Sequence, residues 1–337
     1  KKISIKQYKI KDKSEVLTYK KTNQDFVQSF KDERETIEYF LKVLEKEDPD
    51  ILYGYNSTNF DIPYLKERAA ELKIPFELGR WESDFKKIRK GLTSGLILNG
   101  RIHLDLYPMM RFLGILGILK SKRFTLEAVY NELGSGTKKM VERRDIWKMW
   151  DDENELEELA EYSLYDAKTT YELGEITTNL FIELSKLTGL PLFETSLSTS
   201  GQLVEFLLMQ ESVKRKMVIP PRPKDSEISE RLANPIEGAF VKIPIPGIYE
   251  NIVVLDFRGL YPSIIISYNV DPYMLTDSKE DVNTSPSNWN FKKSPSGLIP
   301  SVLKHLVDSR AQMKRDLKNL KKGSDEYNIL SARSQSY

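Results

Sequence analysis

The chain has 337 residues, 40% of them hydrophobic and 30% charged, and a formal net charge of +1, a balance ordinary for a globular protein of about two or three domains. With no cysteine and two histidines, a disulfide framework and thiolate metal sites are excluded and a histidine zinc site is disfavoured, so any metal would be held by carboxylates, which suits Mg²⁺ or Mn²⁺. No apolar run approaches the ~20 residues of a membrane span, Lys1 to Ile5 has no signal-peptide character, and the near-neutral charge withholds the whole-chain basic signature of a nucleic-acid binder.

In chain order, Ile3–Ile5 and Glu15–Tyr19 read as short strands around a charged turn. Ile37, Phe40, Leu41 and Leu44 recur at helical spacing and predict a helix over Glu33–Glu47, stopped by Pro49. Ile51–Tyr55 reads as a buried strand, followed by a loop and a helix from about Pro63 to Leu72. Arg101–Leu106 alternates like a strand, Leu126–Leu133 is helical and closed by Gly134, and a long helix covers about Leu156–Leu187. Alternating strands and helices predict an α/β domain ending near residue 185. The proline-dense stretch 218–224 reads as a linker and the polar stretch 276–298 as an exposed loop. Pro300 opens a last amphipathic helix, Ser301 to about Lys322.

Three places carry candidate chemistry. Ile252–Leu255 is a continuous apolar run, read as a central strand covered on both faces, with Asp256 at its end. A buried carboxylate there would need a partner such as a divalent cation. Gly259 is free to take positive φ in the turn that follows, and Pro262 suits the start of a helix. Arg310 and Lys314, four residues apart, share one face of the last helix. Upstream, Asp61 lies in a loop after a strand, while Tyr162 and Asp166 fall at i and i+4 on one face of the long helix.

Asp256-x-x-x-Leu-Tyr-Pro-Ser-Ile-Ile resembles the first palm motif of family B DNA polymerases. The resemblance implies that Asp256 and the Phe257 carbonyl bind catalytic metals, that Tyr261 packs beneath the incoming sugar and excludes a 2′-hydroxyl, and that Leu260 belongs to the same nucleotide-binding set. It implies two Mg²⁺ ions (Mn²⁺ as substitute) about 4 Å apart, clamping the attacking 3′-oxygen and the leaving pyrophosphate. Arg310 and Lys314 then resemble the pair on the first fingers helix that grips the nucleotide triphosphate, where a planar guanidinium suits bidentate phosphate contact. Asn56-x-x-x-Phe60-Asp61 and Tyr162-x-x-x-Asp166 resemble the second and third motifs of DnaQ-like 3′→5′ exonucleases. By that likeness Asp61 and Asp166 hold metals, Tyr162 orients the attacking water, and Asn56 and Phe60 position the 3′ end.

The first exonuclease motif, Asp-x-Glu, is not found, and the likeness places it ahead of Lys1. The only substitute, Asp105 in His103-Leu-Asp-Leu, sits on a strand where relatives do not usually bind metal. The family's Tyr-x-Gly-Gly element stands here as Ile236-Glu237-Gly238-Ala239, so no Tyr role carries over.

The implied architecture is α/β and α+β multidomain. A ribonuclease H-like 3′→5′ exonuclease domain (1–185, lacking its first strand) precedes a helical connector (186–235), a partial palm (236–298) and the first helix of the fingers (299–337). The second palm motif, Asp-Thr-Asp, the second fingers helix, the thumb and the uracil-sensing domain are expected outside this sequence, and a split enzyme is favoured over a trimmed one. Implied partners are primer–template DNA, dNTPs, a second polymerase chain completing fingers, palm and thumb, and a sliding clamp, in a prokaryotic cytoplasm at the nucleoid and with no membrane. The alternative is a catalytically silent polymerase-like scaffold in a replication complex.

Overall fold

The structure is a computed structural model that describes residues 6–10, 13–22, 24–81, 85–91, 93–134, 146–152, 155–235, 238, 241–257 and 259–337. The expected strand Ile3–Ile5 and three of the four residues Ile236–Ala239 lie outside the described residues. The chain divides into two compact units, residues 1–204 with 316–336 and residues 205–315 with 337.

The first unit opens with β1 (Lys6–Ile10), β2 (Lys13–Thr18) and β3 (Val27–Ser29), a three-stranded sheet in that order. Helix α1 (Glu33–Glu47) follows, capped by Asp32, whose side chain accepts from Glu35 N. Then come β4 (Ile51–Gly54), α2 (Asp61–Glu71), β5 (Lys86–Lys90), β6 (Thr93–Leu98) and β7 (Arg101–Asp105). The second sheet has the order β4-β7-β6-β5, with β4 and β7 parallel and the other pairings antiparallel. Successive residues of a strand face opposite sides, and both sides are covered. Leu96 and Leu98 of β6 pack with Ile37 and Leu44 of α1 and with Leu65 and Ala69 of α2.

On the other face, Leu104 joins the larger core with α3 (Leu106–Ile115), α4 (Leu126–Leu133) and α6 (Leu156–Thr188), which α5 (Ile146–Asp151) precedes. Phe181 of α6 and Met109 of α3 are fully buried there. The unit closes with α7 (Leu192–Leu197) and the start of α8 (Ser200–Lys214). The predicted α1, α2, α4, α6, β2, β4 and β7 all form. The hairpin β5–β6 was not expected, because β5 reads Lys-Lys-Ile-Arg-Lys, an edge strand without an apolar face.

The second unit contains the rest of α8, then α9 (Asp225–Ala233), α10 (Leu260–Tyr268), the hairpin β8 (Val282–Thr284) and β9 (Asn290–Lys292), and α11 (Leu298–Asp316). Residues 217–224 have no regular structure. Three expectations need correction. The central strand is not formed: Ile252, Val253, Val254 and Leu255 are irregular and 67%, 77%, 87% and 89% exposed. A strand is stable only when its amides pair and its apolar faces are covered, and among the described residues nothing pairs with this segment. The 276–298 loop folds back as β8–β9. The last helix ends at Asp316, and a separate helix, α12 (Asp325–Ser336), follows in the first unit. Gly323 at φ 83° breaks the run, and Ser324 Oγ accepts from Tyr327 N at 3.2 Å to start α12.

Candidate active sites

Between β4 and α2 the chain makes a tight loop whose root is buried and whose tip is exposed. Ser57 and Thr58 are buried, whereas Asn56, Asn59, Phe60 and Asp61 face outward. Asn56 sits in the left-handed region at φ 58°, a conformation asparagine tolerates better than most residues. Asp105, at the end of β7, is 5% exposed. Its carboxylate accepts from Asn56 N at 2.7 Å, Thr58 N at 3.0 Å and Tyr107 N at 3.1 Å, the last capping α3. Two residues back, on the same side of β7, His103 Nε2 is hydrogen-bonded to Ser57 Oγ at 2.9 Å. Burial pushes the His103 imidazole down to about 4 against the upward pull of Asp105, so the ring is neutral at ordinary pH. Gly54 makes room for this contact, because a Cβ there would collide with Ser57 Oγ.

Asp61 is the first residue of α2, where a carboxylate is favoured by the helix dipole. The N-cap position belongs to Phe60, which is 57% exposed. Lys87 Nζ on β5 donates to Asn59 Oδ1 at 3.0 Å. Tyr162 and Asp166 lie half-buried in α6, one turn apart on a common face.

Strand β4, which leads into the Asp61 loop, meets α6, which carries Asp166, through Tyr53. Its hydroxyl pairs with Thr178 Oγ1 of α6 at 2.9 Å, and its ring lies so close to Gly174 that a Cβ there would be 2.7 Å from Cδ2. Burial pushes the Tyr53 phenol up to about 12, consistent with a packed rather than reactive hydroxyl. Asp61 itself is exposed and Asp166 half-buried. Among the described residues, no three His, Cys, Asp or Glu side chains converge on a cation position.

In the second unit Asp256 and Phe257 precede α10 and are exposed, Phe257 by 76%. Asp256 is therefore not the buried strand-end carboxylate that the apolar run suggested. Gly259 takes φ 63° as the N-cap of α10, as predicted, and Pro262 falls at the third helical residue rather than the first. Leu260 and Tyr261 stand in the first turn of α10, 42% and 73% exposed. Arg310 and Lys314 are exposed along α11, four residues apart. The sequence reading missed Asn269 and Asp271, which are buried and polar and join α10 to the base of α11. Their only sequence signal is a short Asn-Val-Asp-Pro string just past the helix, typical of turn chemistry.

Residues 1–129 match the family description "DNA polymerase family B, exonuclease domain", and residues 192–336 match "DNA polymerase family B". A DNA polymerase of Pyrococcus glycovorans is 39% identical over 313 residues, covering 92% of this chain and 40% of that protein. A DNA polymerase of Thermococcus sp. (strain 9oN-7) is 40% identical over 305 residues, covering 90% of this chain and 39% of the other. The structure of the family B DNA polymerase from the hyperthermophilic archaeon Pyrobaculum calidifontis superposes with a TM-score of 0.74 at 29% identity, over 96% of this chain and 41% of that one. The chain thus spans about two fifths of the length of these relatives. An exonuclease stretch and a polymerase stretch follow one another here in the same order as in those proteins, and the chain belongs to the family B DNA polymerases.

Proposed function

We propose that this chain forms the proofreading, first-palm and fingers portion of a DNA-directed DNA polymerase that adds nucleotides to a primer 3′-hydroxyl. The observation that carries the reading is the Asp256-to-Ile265 string, lying inside the polymerase match and folded as a left-handed Gly259 turn opening the helix that presents Tyr261. Tyr261 would underlie the sugar of the incoming dNTP, with Leu260 beside it, and Arg310 and Lys314 would take its triphosphate. Relatives about 2.3 times as long indicate further polypeptide, supplying the rest of the fingers, palm and thumb. We assign that role to a second chain, with a sliding clamp as an additional partner.

Family B DNA polymerases use divalent metal ions. The donors here fit such a cation by type, since they are hard carboxylate oxygens, and Asp256 with the Phe257 carbonyl, and Asp61 with Asp166, would hold Mg²⁺. They do not complete a site by number among the described residues. When bound, the ions would supply charge stabilisation at the attacking and leaving oxygens. On the exonuclease side Asn56 and Phe60 would seat the 3′ end, and Tyr162 would orient water.

The deciding experiment is primer extension by the complete polymerase carrying Asp256→Ala. Incorporation should be lost while binding to primer–template persists. Incorporation that survives the substitution would refute the assignment. In the same protein, Asp166→Ala should remove 3′→5′ degradation of single-stranded DNA and leave extension intact.

A further inference from the structure

Helix α10 ends at Asn269, which takes the left-handed C-cap position at φ 55°. The residue is 5% exposed, and both its amide nitrogen and its amide oxygen are hydrogen-bonded. Nδ2 donates to Lys292 O at 2.7 Å and to Pro295 O at 3.0 Å, while Oδ1 accepts from Gly297 N at 2.8 Å. Two residues on, Asp271 is 1% exposed. Its Oδ1 accepts from Tyr273 N at 2.8 Å and its Oδ2 from Ile299 N at 2.8 Å. Ile299 lies in the first turn of α11, so one carboxylate holds the segment leaving α10 and also occupies an otherwise orphaned amide at the base of α11. The fit is close: a Cβ on Gly297 would stand 2.7 Å from Asp271 Cβ.

We propose that Asn269 and Asp271 are positioning residues for nucleotide binding, forming a bracket that fixes the helix bearing Arg310 and Lys314 relative to the helix bearing Tyr261. This rests on the phosphate role given above to Arg310 and Lys314. The lever is long. Arg310 is twelve residues beyond the start of α11, or about 18 Å along the axis at 1.5 Å per residue. A tilt of about 5° at the base would therefore carry the guanidinium about 1.6 Å, well past the ~0.5 Å within which a preorganised site must hold its groups. A fully satisfied amide and a carboxylate shared between two backbone donors are stiff against such a tilt, because any movement leaves buried polar atoms unpaired.

The test is a double-mutant cycle in the complete polymerase, reading dNTP KM and kcat in single-nucleotide incorporation and the Kd for primer–template. Asp271→Asn replaces an accepting oxygen with a donor facing a backbone N–H. It should raise dNTP KM by about 10- to 100-fold, the scale on which displaced binding groups cost, and leave primer–template Kd unchanged. In a background carrying Arg310→Ala and Lys314→Ala together the same substitution should have little further effect, because the groups it displaces are gone. If Asp271→Asn does not fold, Gly297→Ala strains the same bracket and enters the cycle in its place. An unchanged dNTP KM, or an effect fully additive with the Arg310→Ala/Lys314→Ala pair, would overturn the bracket. Should Arg310→Ala by itself leave dNTP KM unaltered, the phosphate role fails first and the bracket falls with it, a result distinct from failure of the bracket alone.

Discussion

Replacing Asp105 with alanine should loosen the loop that carries Asn56, Phe60 and Asp61 without touching any of those residues. The carboxylate is 5% exposed and accepts from three backbone amides at 2.7, 3.0 and 3.1 Å. Asn56 is exposed, so water will take over its amide. Thr58 is fully buried and Tyr107 half-buried, so their amides lose an acceptor with little replacement. At about 1–3 kcal/mol for each buried donor left unpaired, and more when the acceptor was charged, the substitution should cost about 3–5 kcal/mol. For a unit of this size each kcal/mol moves the midpoint by ~2–4 °C, so the first transition in calorimetry should fall by roughly 10 °C. Amide exchange over the peptide spanning residues 55–60 should accelerate at Asn56 and Thr58, while exchange in α10 and α11 stays as it was. A shift below about 2 °C, or protection at Thr58 equal to that of the parent protein, would refute the view that Asp105 anchors this loop.

Two further outcomes follow from the buried charges of the first unit. His103 is held neutral to about pH 4, against an ordinary value of 6.5. Between those values the unfolded chain takes up a proton that the folded one refuses, so His103 should lower stability as pH falls from about 6.5 towards 4, by up to about 3 kcal/mol. Urea midpoints of His103→Gln measured at pH 7.5 and pH 5 should show a shallower acid slope than the parent, and equal slopes would count against the assignment. Glu183 on α6 accepts from Arg333 Nε of α12 at 2.7 Å and from Lys186 Nζ at 2.8 Å. Burial pushes its pKa up, but those two cations outweigh it and hold the carboxyl below its usual 4.5. Its contribution is therefore present above about pH 4.5 and lost as pH falls through the depressed value. Arg333→Ala should weaken docking of α12 at neutral pH, seen as faster proteolysis or amide exchange in residues 325–336, and the difference from the parent should shrink in acid.

Much of this protein was legible without coordinates wherever the information is local. Local pattern located α1, α4 and α6, turn chemistry located the Gly259 corner, and the strings around Asp61, Asp166, Asp256 and Arg310 carried the family likeness, since each lies within a few residues. Charge and neighbour arguments did less well. Ile252–Leu255 has the composition of a central strand, yet a strand exists only if other strands pair with it, and no composition can provide those neighbours. The charged edge strand β5 hid for the opposite reason: its place is set by pairing with β6 rather than by its own pattern.

Asp105 was visible as an aspartate on a strand, but its use as an acceptor for amides 47 and 49 residues away is a consequence of β7 lying beside β4. The same holds for Asn269 and Asp271, whose partners, Tyr273 apart, are 23–28 residues downstream. Family, most element types and the candidate site residues were legible in the sequence itself, because they depend on short-range order. Which polar side chains hold those groups in place was decided only by the tertiary fold, because a buried hydrogen bond depends on what packing brings within 3 Å, not on what stands next along the chain.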